Sequence, residues 1–537
     1  MSFRNCVALS VGVSIIALLT GCGGNGSGIT NPTPPPSGSF STADLSGTYV
    51  FSISGIDVNG AAYSALGIFS ANGKGGISSG TMDVKDGSLS APVPNAAISG
   101  GNYTIGVDGR GTAQLNTSTP LGQIVLDFVL QDSSHGMLTE FDSEATGSGT
   151  LDLQTANSTP KGSYAFSFTG SDANGNLFAT TGNFAVGTNG SIAGLEDFND
   201  SGVPYANEAL SGQLTLGPSS SPSTQLATEN FTLTYDVYAI DATHLKFIEM
   251  DSSQDFLSGD AYAQTSTTIP AGTFAFTLEG SNDPSGGTAS VAGGFFVTDG
   301  NGNFTNASSV DLVNNSTASQ SPITFTGTYA AGGTGRFALD LTGFQEGTQY
   351  VAYPYNGGLF VLELDTGSIL TGAAYPHSST TFASGQGYGL NLTGINPGTN
   401  LGIGSGPVEV DDIAEFATNS SGSTISGVLD ENYQPGGGPD YGVGLSGQYS
   451  GPDSSGRGAI TATASNASNS SLNGGFNLTF YTVDGTSYPF IETDGGQVTA
   501  GVFVKQSPSS SSAAVQSSHI FVMPQLARAH GALRKKK

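Results

Sequence analysis

Gly47-Thr-Tyr49-Val-Phe51-Ser-Ile53-Ser-Gly55 decides the fold, because the chain writes it four times. It returns as Gly162-Ser-Tyr164-Ala-Phe166-Ser-Phe168-Thr-Gly170 and as Gly272-Thr-Phe274-Ala-Phe276-Thr-Leu278-Glu-Gly280. A looser fourth copy is Tyr388-Gly-Leu390-Asn-Leu392-Thr-Gly394. In each, an aromatic residue stands six positions before a glycine, with apolar and small polar residues alternating between them. A two-residue period puts Tyr49, Phe51 and Ile53 on one face of a strand and Val50, Ser52 and Ser54 on the other. The aromatic anchors are 115, 110 and 114 residues apart, so the body is four units of one kind.

The first unit, 45–154, shows the plan. Strands at 47–56 and 61–70 flank Asp57-Val-Asn59-Gly60, and Asn72-Gly73-Lys74-Gly75-Gly76 turns the chain into a third that runs to Val84. Past a loop with Pro92 and Pro94 come strands at 98–107, 110–116, 123–132, 136–142 and 148–154. Asn-Gly and Asp-Gly pairs supply the positive φ that tight hairpins require. The same landmarks recur in units 160–264, 270–377 and 384–506. A third strand ends in an acid (Asp83, Asp197, Asp311, Asp430), and a Gly-Arg hinge carries Arg110, Arg336 and Arg457 but is missing from the second unit. Three units close at Gln154, Gln264 and Gln506. The expected fold is all-β: four tandem antiparallel meanders of about eight strands, each closed as an up-and-down barrel, which removes exposed edges. A β-sandwich is the rival, and the absence of Trp and of a cysteine pair speaks against its immunoglobulin form. Links near 155–160, 265–270 and 378–384 predict a string of compact bodies, each on the order of 30–35 Å across, whether stacked or swinging.

Outside the repeats, residues 1–21 hold one basic residue, Arg4, and an apolar run from Val7 to Leu19. That run is too short to span a bilayer and reads as a secretory signal. Leu19-Thr20-Gly21-Cys22 resembles the lipobox of bacterial lipoproteins. The resemblance implies cleavage before Cys22, acylation of Cys22 and, with Gly23 and Gly24 following, residence at the outer membrane. An ordinary signal peptide with a nearby cysteine is the plain alternative. Residues 22–44 are rich in Gly, Ser and Pro and read as a tether. Cys6 leaves with the signal, so no intrachain disulfide is expected. Residues 507–537 are Ser-rich and then basic, with five of the fourteen Lys and Arg; a frayed tail is the plain reading and contact with anionic lipid the other. The body between carries eight basic residues in a chain with 42 carboxylates, which argues against a nucleic-acid partner.

The recurrent chemistry is an acid-x-acid triplet near each unit's end: Glu140-Phe-Asp142, Glu249-Met-Asp251, Glu363-Leu-Asp365 and Glu492-Thr-Asp494. Two carboxylates on one strand face can serve glycoside hydrolysis or hold a cation. Four copies in four units read instead as scaffold, with Asp142 capping the next turn and Glu140 paired with Arg110 or solvent; Lys246 would stand in for the missing arginine of unit two. The three arginines are read as structural in the same way. Asp299-Gly-Asn301-Gly-Asn303 and Asp172-Ala-Asn174-Gly-Asn176 begin like calcium loops, but position twelve is Val310 or Asn183. Gly76-Ile-Ser78-Ser-Gly80 matches a hydrolase elbow by chance, since a strand and not a helix follows. His135, His244, His377, His519 and His530 are scattered, and Gly385-Gln-Gly387-Tyr-Gly389 precedes a strand, so neither metal nor cofactor is implied. The expectation is a surface-exposed structural or interaction lipoprotein, anchored to the membrane by lipid, with an unidentified protein, glycan or small apolar partner. The alternatives are a binder using barrel cavities, with Tyr103, Phe128 and Phe141 near the lumen, and a polysaccharide hydrolase.

Overall fold

The computed structural model describes residues 39–508, apart from 119, 121, 157–159, 216–222, 254, 284–287, 315–316, 320, 397–406 and 466–474. The signal, Cys22, the tether to residue 38 and the tail from 509 lie outside the described residues. Apart from one 3-10 turn, Thr42–Asp44, the described elements are strands, and they make four antiparallel closed barrels. Barrel 1 runs from Ser46–Asp57 to Ala145–Leu153, barrel 2 from Gly162–Ser171 to Phe256–Ala263, and barrel 4 from Gly387–Asn396 to Val498–Lys505. Barrel 3, from Gly272–Asp283 to Ile369–Pro376, adds a two-residue strand, Thr317–Ala318, and closes through the pairing of Thr288–Thr298 with Asn303–Asn314.

The founding repeat is the first strand of each barrel, paired on one side with the second strand and on the other with the last. Tyr49, Phe51 and Ile53 face the core of barrel 1, and Tyr164, Phe166 and Phe168 that of barrel 2. The closing glycine has a steric cause. A Cβ on Gly55 would stand 2.1 Å from the Thr146 carbonyl oxygen, on Gly170 1.3 Å from that of Phe256, and on Gly280 1.8 Å from that of Ile369. Only glycine lets first and last strands approach this closely.

Each barrel has its own core, filled by its own rings. In barrel 2, Phe168 lies 4.7 Å from Phe166, 5.1 Å from Tyr235 and 5.0 Å from Phe247, centroid to centroid. The segments before the barrels are more than spacers. Phe40 enters the core of barrel 1, Ile269 that of barrel 3, and Phe382 packs 5.0 Å from Tyr388 and 5.1 Å from Phe480 in barrel 4. The body thus begins before residue 45, and the last residues of the expected tether are part of it. Pro94, expected in a loop, lies in Val93–Ile105, where the register shift between Met82 and Val84 leaves it outside the ladder.

The barrels are not strung out. A further apolar cluster takes Val129 and Met137 from barrel 1, Ala179 and Tyr262 from barrel 2, Tyr353 and Tyr375 from barrel 3, and Tyr481 and Val504 from barrel 4. The described residues all fall within one compact unit. The outward-facing Val50 is fully buried, packed with Tyr238 and Ile248 of barrel 2. Links of a few residues fold back instead of spacing, because outer faces that carry Val, Ala and Tyr bury apolar surface against one another.

Candidate functional site

The candidate site is the set of seams between barrels, where the arginines and the third-strand acids meet. Asp83, Asp197 and Asp430 sit where the ladder shifts register, between Met82 and Val84, Glu196 and Phe198, and Leu429 and Glu431. A β-bulge turns the extra residue out of the ladder. One oxygen of each acid accepts from a backbone N–H on the neighbouring strand, of Asn95 (2.7 Å), Asn207 (2.8 Å) or Gly442 (2.6 Å), all three at positive φ. The same carboxylates also meet the next barrel.

Across the barrel 2–3 seam, Arg336 donates Nε to Asp197 at 2.7 Å and Nη2 at 2.5 Å, and Tyr353 Oη donates to the same carboxylate. Across the 3–4 seam, Arg457 donates Nε and Nη2 to Asp311 at 2.8 and 2.9 Å, and Tyr481 Oη donates at 2.8 Å. Across the 1–2 seam no arginine is present, and Tyr238 Oη alone of this set donates to Asp83, at 2.7 Å. Barrel 4 then meets barrel 1: Arg110 Nη1 donates to Asp430 at 2.9 Å, with Val129 where the other units have tyrosine. The four seams therefore close a cycle. A second set repeats the sense. Gln154 Nε2 donates to the Ala239 carbonyl at 2.7 Å, Gln264 to Pro354 at 2.7 Å and Gln506 to Leu130 at 3.0 Å, while His377 Nδ1 stands 2.7 Å from the Thr482 carbonyl.

The triplets lie beside these seams. Each glutamate pairs in register with a core residue of the preceding strand, Glu140 with Leu126, Glu249 with Tyr235, Glu363 with Tyr350 and Glu492 with Leu478. All four are buried. Burial holds Glu140 well above the usual carboxylate range, and pushes Glu363 up to about 9 and Glu492 up to about 8. The aspartates clamp the strand before their own: Asp142 accepts from Val125 N (3.2 Å), Asp251 from Thr234 N (3.0 Å), Asp365 from Gln349 N (2.8 Å) and Asp494 from Asn477 N (2.9 Å). Asp142 also accepts from Glu144 N at 2.9 Å, in the turn that follows.

Two expected pairings are corrected. Arg110 bonds Asp108 and Asp430, not Glu140, because the hinge faces barrel 4 while Glu140 lies on the inner face of barrel 1. Lys246 pairs with Asp260 at 2.8 Å and Asp152 at 3.8 Å, so the cation beside Glu249 is Lys85 of barrel 1. Phe141 stacks edge-on against Tyr441 of barrel 4 at 4.5 Å and so faces a seam, whereas Tyr103 and Phe128 join the core. Asp172 and Asp299 accept from backbone N–H groups two and four residues on, which makes the calcium-like loops Asx turns. Among the described residues no three acids, histidines or cysteines are grouped to hold a metal. Sequence reasoning missed the three tyrosines and the acids' role; aligning units shows that tyrosine and arginine are never both missing.

The 1–2 seam also holds a cleft of about 480 Å³. It lies between the Asn59–Gly60 turn, the segment from Lys85 to Pro92, Ser171–Gly175 of barrel 2 and Phe256. In barrel 4, a void of about 10 Å³ beside Asp412 and Glu492 has room for about one water.

No family model and no curated protein matches this chain. Similar solved structures include a variant of the vaccine antigen transferrin binding protein B from Haemophilus parasuis Hp5, 10% identical over 70% of this chain and 83% of that one, with a TM-score of 0.19. Isotype 1 transferrin binding protein B from serogroup B Neisseria meningitidis is 11% identical over 74% of this chain and 83% of that one, with a TM-score of 0.20.

Proposed function

We propose that this chain is a cell-envelope lipoprotein, held at the outer membrane through acylated Cys22, whose four-barrel body is a surface-exposed structural or interaction module. The supporting observation is the use of the seams. Arginine, tyrosine and glutamine side chains lock the barrels to one another, while aromatic rings occupy the barrel interiors. Such a body offers a fixed exterior to a partner and not a lumen to a ligand. The buried glutamates of the triplets serve packing and hairpin closure, so the triplets offer the hydrolase reading no pair of carboxylates open to a glycan.

The test is to express the full chain and its Cys22→Ser variant in a bacterial host with an alkyne-tagged fatty acid, then fractionate membranes and shave intact cells with protease. Wild type should carry the label, sediment with outer membrane and be cleaved from outside; the variant should lose the label and become soluble. Equal labelling and equal sedimentation of both would overturn the anchor, and protection of wild type from protease would overturn surface exposure.

A further inference from the structure

The cleft between barrels 1 and 2 is walled by groups whose chemistry is specific. On the barrel 2 side, Ser171 is 1% exposed, and its Oγ has no hydrogen-bond partner. A buried hydroxyl left unmade costs about 1–3 kcal/mol, so a native fold keeps one where something else completes it. On the barrel 1 side, Asp86 accepts from Ser88 N at 2.7 Å, and Asn59 Nδ2 reaches Ser88 Oγ at 3.2 Å. The Lys85 ammonium stands 5.1 Å from the centroid of the Phe256 ring and bonds Glu249.

Each class of ligand meets this wall differently. With Lys85 already paired, the charge left facing the cleft is that of Asp86 and Asp172, which repels an anion. A metal ion would need several converging ligands, and the described residues group none. A purely apolar molecule would strand the serine, asparagine and aspartate groups. What remains is a neutral molecule that both donates and accepts hydrogen bonds around a ring, with an apolar face for Phe256, Leu89 and Pro92. The volume falls within the usual range for small-ligand sites, about 300–1,000 Å³.

We propose that this cleft binds a small uncharged saccharide, a mono- or disaccharide, with Ser171 and Asp86 bonding its hydroxyls. The site does not depend on the lipid anchor, so its failure and the failure of the envelope reading are separable: the Cys22→Ser chain should bind as well as wild type.

The experiment is saturation-transfer NMR and calorimetry on the full chain in detergent, with glucose, N-acetylglucosamine, maltose and cellobiose each at millimolar concentration, and calcium chloride alone as a separate probe. At least one sugar should saturate. Ala91→Trp, at an exposed position on the rim, should abolish the signal while leaving the melting curve intact. Ser171→Ala should weaken binding about tenfold. Its melting temperature should hold or rise, since the lost hydroxyl had no partner in the fold. Three results would overturn the proposal: no sugar saturates wild type, Ala91→Trp binds like wild type, or calcium alone gives the response.

Discussion

The 2–3 seam and the 1–2 seam join the same surfaces of two barrels with different chemistry. At 2–3, a bidentate guanidinium and a phenol converge on Asp197, which is fully buried. At 1–2, Tyr238 meets Asp83, the charge contact has moved to Lys85 and Glu249, and a cleft opens alongside. A tyrosine contact with backup elsewhere holds a seam and leaves room beside it; the arginine clamp fills it. The difference locates rigidity at 2–3 and access at 1–2.

Breaking the clamp gives the largest expected effect. Asp197→Ala leaves Arg336, 6% exposed, without its counter-charge, and should destabilise the body by about 3–5 kcal/mol, read as a lower midpoint in urea. Next comes pH. Unfolded, glutamates lose their protons near 4.5; folded, Glu279 and Glu492 hold theirs to about 8 and Glu363 to about 9. The native state therefore binds more protons across that window, and stability falls as pH rises from about 5 to 9. Thermal melts at both ends should differ, and Glu363→Gln should flatten the slope and raise the melting temperature at pH 9.

Arg110→Ala cuts the clamp at the 4–1 seam, where the arginine side chain is 19% exposed and its removal opens Asp430 to water. The expected loss is about 1–2 kcal/mol, clearly smaller than at Asp197. Tyr238→Phe removes one hydrogen bond at the 1–2 seam and should cost about 1 kcal/mol in the same urea titration. If Tyr238→Phe cost as much as Asp197→Ala, the contrast between the seams would be lost.

Much of the barrel could be read from sequence, because it depends on local rules. Alternation in Tyr49–Ile53 and turns such as Asn59-Gly60 act within one hairpin, and the glycine six residues past each anchor shows as a repeated landmark although it faces the last strand of its barrel. The seams depend on a different length scale. Asp83 and Asp430 read as strand ends because a bulge at that point looks like a break in alternation. Arg110 lies 320 residues from Asp430, and no local pattern links them. Alternation puts Val50 on the outer face and goes no further, since a small outer-face residue reads the same whether it meets water or another sheet. Gln506 closed its own unit in the sequence; in the fold it reaches Asp108 and Leu130 of barrel 1.

The closed cycle of seams is the central claim, and small-angle X-ray scattering on residues 39–508 tests it most directly. Roughly 470 residues packed as one body predict a radius of gyration of about 23 Å and a single-peaked distance distribution. A maximum dimension above about 100 Å, as four bodies of about 30 Å in a row would give, would contradict it.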